Sequence, residues 1–579
     1  MDNGLYLRNK LYECMKTLLK IFVLFFVFNI NKVVASCTLY EIPLQKTIQN
    51  SNYIFIAQHL KMECFEKENK IFTKHYFFVT QKLNGELSFD TLYLLTEGGV
   101  MNNKATVVYP NLEFKKADNY LIFAKNIETN EIKLSSGMQG CMSFFENDSV
   151  SNFFNKYSFS NELIPIINLQ KNTTISPSSF PKRNTENRVS QIISFSPTEI
   201  TAGTNSILTI NGNNFGNTKS NSRVLFKNAN DGGVTFIEPL LTDYVSWSNT
   251  KIMVKVPNNA GTGIFRVETN VATYNSTLLK VLWSRTNYVK DNKTFLPILI
   301  DNSETGGYFF SVDENIELDT TFFNRTKEAI ANWRCKTGIN FTLNSSNSIE
   351  NKSTISFAKN GELNEGVLGI CYSNFSSCNG NDWYLQNMEI KILDTTLWNS
   401  SLNFPTNNQY DYLSVISHEL GHASQLSHVV SSTDLMNFSI GKGQYRRTLS
   451  DENIQGGKTI IDKSIDGINC SKKIHKKINS DNCENIYFTY FSIEKSRVFP
   501  VPAKDKLNME VFLDSNYELE WNIYDASGKL VERFFPIQKQ AGLVNFTIEL
   551  ENKNYLPGIY FLQLKAGNNL IKKKFIVTN

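Results

Sequence analysis

Three of the chain's six histidines fall within one run of eleven residues, His418-Glu419-Leu420-Gly421-His422-Ala423-Ser424-Gln425-Leu426-Ser427-His428. On a helix, residues four apart lie one above the other with Cβ atoms about 5–6 Å apart. His418 and His422 can therefore share one metal ion, while Glu419 is rotated off the pair and can reach a water beside it. His428 lies too far along to use the same helical face. The helix has to end near Ser424, and the chain has to swing back. Three imidazoles leave the fourth position of a tetrahedral zinc ion open to water.

The run resembles the zinc signature of the metzincin metallopeptidases, the superfamily that includes the matrixins: H-E-x-x-H-x-x-G-x-x-H followed by a methionine turn. Downstream, Thr433-Asp434-Leu435-Met436-Asn437 resembles the Met-turn. Upstream, Ala329-Ile330-Ala331-Asn332-Trp333 and Gly338-Ile339-Asn340-Phe341 resemble the helix and first strand of the same domain. Phe322, Thr326, Ala329 and Trp333 have the spacing of a core-facing helical stripe. The metal-bearing helix is expected over 411–424, with Leu413, Ile416 and Leu420 as its packing face. Gly366-Val367-Leu368-Gly369-Ile370-Cys371 resembles the edge strand above the cleft, open to an extended substrate backbone. The segment 388–393 reads as its buried neighbour.

The resemblance implies a zinc-dependent endopeptidase acting on protein or peptide. His418, His422 and His428 would hold one catalytic Zn2+, Glu419 would be the general base for a metal-activated water, and Met436 would support the site from below. Two positions depart from the pattern. Gln425 stands where the family has a glycine of positive φ, at a cost of about 1–2 kcal/mol. Phe438 stands where some subfamilies keep a tyrosine ligand.

Other readings of the same residues exist. A structural zinc site would be closed by a fourth protein ligand, often cysteine. A second zincin arrangement uses two histidines and a downstream acid, for which Glu452 is placed. A surface adhesin with a vestigial peptidase domain, or a zinc hydrolase of a non-peptide bond, would also carry such a run; a vestigial domain would be expected to lose Glu419, which is present. Structural calcium is left open.

At 579 residues the chain is long enough for three to five domains. Its formal charge of +4 comes from 59 basic and 55 acidic residues, so nothing suggests a nucleic-acid partner. Residues 1–36 read as a signal peptide: Lys16 and Lys20 flank an apolar run from Ile21 to Phe28, and Val34-Ala35-Ser36 offers a cleavage site before Cys37. That run is too short to span a bilayer, and no transmembrane segment is expected in the mature chain. Val34-Ala35-Ser36-Cys37 also resembles a lipobox, in which Cys37 would be acylated. Eight cysteines remain after Cys14 leaves with the signal, which suits disulfides in an oxidising compartment. Cys371 with Cys378 and Cys470 with Cys483 are spaced as local loops, but the pairing is not settled by sequence.

The expected architecture is multidomain α+β, a zincin-type α/β catalytic domain flanked by all-β modules. Residues 37–171 alternate short β-rich runs and read as a small β-barrel. Its opening Cys-Thr, with Cys64 and Cys141, resembles the netrin-like barrel of the tissue inhibitors of metalloproteinases, whose N-terminal amine chelates a protease zinc; the simpler reading is a packing or binding module. Residues 172–187 are a linker. Residues 188–283 carry Ile193-Ser194-Phe195-Ser196-Pro197, Asn211-Gly212-Asn213-Asn214-Phe215-Gly216 and Gly261-Thr262-Gly263, and resemble an IPT/TIG immunoglobulin-like domain, read as a spacer or binding arm. The catalytic domain is placed at 284–466 and a connector at 467–494. Residues 495–579, with Val498-Phe499-Pro500-Val501-Pro502-Ala503, Leu556-Pro557-Gly558-Ile559-Tyr560 and Lys572-Lys573-Lys574, resemble the β-sandwich sorting domain of type IX secretion. That implies passage through the type IX machinery and a secreted or outer-membrane surface-attached protein.

Overall fold

The computed structural model describes residues 39–145, 148–175, 192–270, 272–303, 306–343, 353–359, 361–466, 470–479, 483, 497–513, 517–539, 542–551, 555–566 and 569–578. The expected signal segment, Cys37, most of the linker and much of the connector lie outside these residues. Strand accounts for 48% and helix for 17% of the structure, because three of its four bodies are built from sheets.

The first body is a closed barrel. Tyr53–Lys67 pairs with Lys70–Asn84, the sheet continues through Thr91–Glu97, Glu131–Leu134 and Asn119–Glu128, and the last of these returns to pair with Tyr53–Lys67. Strand alternation gives the barrel two apolar faces. Phe55, Ala57, Phe77, Leu92 and Ile122 fill its interior. Ile54, Ile56, Leu121 and Phe123 point outward beneath the helix Ile164–Lys171. A hairpin departs from this barrel: strands β1 (Gly99–Met101) and β2 (Lys104–Tyr109).

The second body is a sandwich of a four-stranded and a five-stranded sheet closing over Ile210, Phe226, Ile252 and Phe265. Its last strand, Thr273–Ser284, delivers the chain into the third body.

That third body holds β3 (Tyr308–Val312), helix α1 (Thr320–Thr337), β4 (Phe341–Leu343), β5 (Ser353–Ala358), β6 (Gly369–Ser377), β7 (Trp383–Leu393), α2 (Tyr412–Ala423) and α3 (Asp451–Asp466). Asp319 caps α1 by accepting from the Thr321 amide at 2.9 Å, and Gly338 ends it at φ 84°. Thr326, Ala329, Ile330 and Trp333 form its buried stripe, with Phe322 half-buried at one end. The sheet runs β4-β3-β5-β7-β6-β2-β1; β3, β4, β5 and β7 are parallel, and β6 is antiparallel to β7.

Two expectations are corrected here. β6 is not a free edge: β2, from the barrel, pairs with it antiparallel from Cys371↔Tyr109 to Ser376↔Lys104. A bare edge is a row of unpaired donors and acceptors, and this chain supplies a strand of its own to cover it. The cysteines also pair at long range, Cys335–Cys483 and Cys378–Cys470, not as local loops. Cys371 is buried in the core side of β6 as a free thiol, out of reach of a loop partner. Both disulfides tie the connector back onto the third body.

The fourth body is a sandwich of β-strands, Lys506–Leu513 and Gly542–Glu549 on one side and Tyr517–Asp525, Gly558–Ala566 and Asn569–Val577 on the other, around Leu507, Met509, Ile523, Leu562 and Phe575. Among the described residues no helix is long and apolar enough to cross a membrane.

Candidate metal centre

Helix α2 presents the site. Asp411 caps its start, accepting from the Ser414 amide at 3.1 Å. The helix ends at Ala423, and the Leu426 amide reaches back to the Gly421 carbonyl at 3.0 Å. The chain then reverses through Gln425, whose φ of 69° is the left-handed conformation expected of the missing glycine. Neighbours hold it there: its amide donates to the His422 carbonyl at 2.9 Å, and its own carbonyl accepts from the Thr286 amide at 2.8 Å. The segment that leaves the second body thus braces the turn that a glycine would make unaided.

The reversal brings the three imidazoles together. His418 Nε2 lies 2.9 Å from His422 Nε2, which lies 3.2 Å from His428 Nε2. Each ring is held from behind. Nδ1 of His418 donates to the Leu435 carbonyl at 2.6 Å, and Nδ1 of His422 donates to the Leu426 carbonyl at 2.8 Å. Nδ1 of His428 donates to Oδ1 of Asn230 at 2.9 Å, from the second body. With each ring's one proton committed at Nδ1, three Nε2 lone pairs face one another. Bare lone pairs at that range repel. A tetrahedral zinc with bonds near 2.0–2.1 Å needs its nitrogens about 3.3 Å apart, so the arrangement fits a cation. Partners of this kind behind metal-binding histidines fix tautomer and ring angle.

Electrostatics point the same way. Burial holds His418 and His428 well below the usual histidine range, helped by neighbouring imidazoles, and brings His422 down to about 4. All three imidazoles are neutral near neutral pH. Glu419 is fully buried, neither carboxylate oxygen has a hydrogen-bond partner among the described residues, and burial raises its carboxyl well above the ordinary value. A carboxyl stranded this way is costly unless a cation sits nearby. Gly369 of β6 leaves it room: a Cβ there would stand 2.8 Å from Glu419 Oε1.

Met436 closes the floor. Its sulfur packs so tightly on Gly421 that a Cβ there would lie 2.2 Å from Sδ. Phe438, which has no ligand atom, packs with Leu39 and Val367, and against Phe154 at 5.6 Å. Glu452 sits 3.9 Å from Lys280 on α3 and lies outside the histidine cluster, so the two-histidine arrangement with that acid is not formed. The packing face proposed for α2 is also too narrow. Every residue from Tyr412 to Ala423 is buried, because the barrel and the second body cover the face that carries the histidines.

Sequence reasoning missed Asn230 and Tyr109, and placed Gly369 only on the strand above the cleft. Tyr109, at the end of β2, stacks on His422 with centroids 4.7 Å apart and 11° between planes, and meets His428 edge-on at 5.8 Å. Its hydroxyl lies 3.1 Å from Ser427 Oγ. Nothing in the local pattern of 104–109 signals this destination.

Residues 190–281 match the family model of the IPT/TIG domain. Residues 497–578 match that of the secretion system C-terminal sorting domain. The chain carries a type IX sorting tail. That tail marks it for export by the type IX machinery to the cell surface or beyond. No curated protein is similar enough to count as a relative. Among solved structures, dimeric latent PorU from Porphyromonas gingivalis aligns over 91% of this chain and 30% of its own length, at 8% identity and a TM-score of 0.13. So low a score carries no argument.

Proposed function

We propose that this exported chain is a zinc-dependent endopeptidase, with residues 284–466 as a metzincin-like catalytic domain. The observation that carries the reading is the convergence of three buried Nε2 atoms at a helix that also carries the buried Glu419 carboxyl, which has no hydrogen-bond partner among the described residues. His418, His422 and His428 would hold the ion. Bound there, zinc would supply Lewis acidity toward a water and a scissile carbonyl. Glu419 takes the water's proton and passes it to the leaving amine. The carbonyls of Leu435 and Leu426, with Asn230, keep the three rings aimed, and Met436 packs against Gly421 of the same helix.

The test is Glu419→Gln with metal analysis and casein cleavage side by side. The variant is expected to fold, hold one zinc per chain and lose roughly 100- to 10,000-fold in rate. Wild-type cleavage should stop with a chelator and return with zinc. Full activity in Glu419→Gln would remove Glu419 from the role of base.

A second reading, a surface adhesin with a vestigial zinc centre, draws on one observation: the histidines and Glu419 are at most 2% exposed. Zinc content without chelator-sensitive cleavage, in any form of the chain, would favour it.

A further inference from the structure

The burial has a specific source. β2 runs antiparallel along β6 for six residues and ends at Tyr109, over the histidines. Past Tyr109 that strand stops, and a second segment of the same body takes over. Leu39 bridges antiparallel to Val367 on one side and parallel to Ser439 on the other, and the Tyr40 amide donates to the Gly366 carbonyl at 2.7 Å. An extended segment clasped between those two walls occupies a groove. A peptide pairing with β6 would need the same backbone donors and acceptors that β2 and Leu39 already use. Both cannot bind at once.

We propose that the N-terminal barrel is a built-in inhibitor of this site, with β2 and the Leu39 segment as its plug. The inference rests on the peptidase reading above and deepens it by naming how the site is regulated. The plug's edges are suited to release. Lys46 pairs with Glu365 at 2.6 Å on the exposed rim, and Thr106 Oγ1 donates to Asn374 Oδ1 at 2.7 Å. An exposed ion pair such as Lys46–Glu365 holds register but contributes little energy. Tyr109 is the anchor, its hydroxyl between Ser427 and the Asn258 amide.

The test uses the full chain loaded with zinc and a short fluorescent peptide hydroxamate as the probe of groove access. Thr106 and Asn374 face each other across β2 and β6, so Thr106→Cys with Asn374→Cys makes a reversible lock. The oxidised lock is expected to bind the probe at least tenfold more weakly than its reduced form, with zinc content unchanged. Tyr109→Ala, which removes the ring over His422, is expected to bind it at least tenfold more tightly than wild type. Equal binding by the oxidised and reduced lock, or a Tyr109→Ala chain no better than wild type, would overturn the plug. Peptide cleavage by the same samples separates the two proposals. A locked chain that still cuts peptides defeats the plug and leaves the peptidase standing. An opened chain that binds the probe and never cuts defeats the peptidase and leaves the plug standing.

Discussion

Oδ1 of Asn230 accepts the Nδ1 proton of His428 at 2.9 Å, across a domain boundary and 198 residues of chain. The loop that offers Asn230 is fixed in advance. Asn228 accepts from the Asn230 amide at 3.0 Å, and the buried Asp231 carboxylate accepts from the amides of Val234 and Thr235 at 2.8 and 3.0 Å. The IPT/TIG domain is therefore more than a spacer between the barrel and the third body. It sets the angle of the third imidazole, and Thr286, just past its last strand, holds the turn that carries that ring.

Asn230→Ala should accordingly weaken zinc binding by about 10- to 100-fold, the usual effect of losing such a partner. Asn230→Asp keeps an acceptor and should restore most of the affinity. Competition against a chelator of known affinity measures both. An alanine variant with wild-type affinity would show that His428 is aimed without help from this domain.

Asp411 joins the start of α2 to the loop after the Met-turn. It is fully buried, and Arg447 grips it with two nitrogens, Nη2 to Oδ1 at 2.6 Å and Nε to Oδ2 at 3.0 Å. Arg447→Met leaves that carboxylate with its helix-cap bonds, the Asn399 amide at 3.2 Å and no counter-charge. Removing one partner of a buried pair costs about 3–5 kcal/mol, discounted here because Arg447 keeps 15% exposure. A loss of roughly 2–4 kcal/mol is expected, read from denaturant unfolding of the third body. Arg447→Lys keeps the charge but not the fork and should recover only part of it.

The difference between what was legible and what was not follows contact distance along the chain. His418 and His422 are four apart on one helix, so helical geometry alone pairs them. The end of that helix near Ser424 follows from where His428 has to go. The small barrel shows in its alternation, because period two is written locally. Asn230 and Tyr109 leave no such mark. One sits in a turn-rich Asn-Ala-Asn-Asp-Gly-Gly stretch in an asparagine-rich chain, the other in an ordinary strand, and only tertiary packing brings them to the histidines. The same holds for Cys335–Cys483, which closes 148 residues while nearer cysteines stay apart. A strand edge looks alike in sequence whether substrate or its own chain will cover it.

Gly421 is the point at which helix α2 rests on Met436. A Cβ added there would meet Met436 Sδ at 2.2 Å, Met436 Cε at 2.9 Å and Trp333 Cζ2 at 3.0 Å. Met436 and Trp333 are both buried, so neither has open space to move into. Gly421→Ala gains helix propensity of about 1 kcal/mol, and overpacking takes back about 1–3 kcal/mol. The balance is expected to be destabilising by about 1 kcal/mol, a modest fall in Tm. Pushing Met436 also moves Leu435, whose carbonyl orients His418, so zinc affinity should drop with it. Unchanged affinity in a destabilised variant would mean that the floor serves packing alone.

His475 provides an acid-sensitive joint. It is buried beside Tyr308, whose ring centroid lies 6.0 Å away, with Asp301 and the Ile300 backbone as its other neighbours, and its Nε2 accepts the Asn340 amide at 3.2 Å. Burial lowers its pKa to about 4, against about 6.5 when unfolded. Between those values the unfolded chain holds a proton that the folded one lacks. Stability therefore falls as pH drops from about 6.5 to 4, by up to about 3 kcal/mol for this one group, and levels off below. His475→Gln keeps an acceptor near the Nε2 position and removes the titration. Hydrogen exchange at the Asn340 amide is expected to quicken between pH 7 and 4.5 in wild type, beyond the intrinsic pH effect, and to stay level in the variant. Parallel behaviour of the two chains would assign acid sensitivity in this region to some other group.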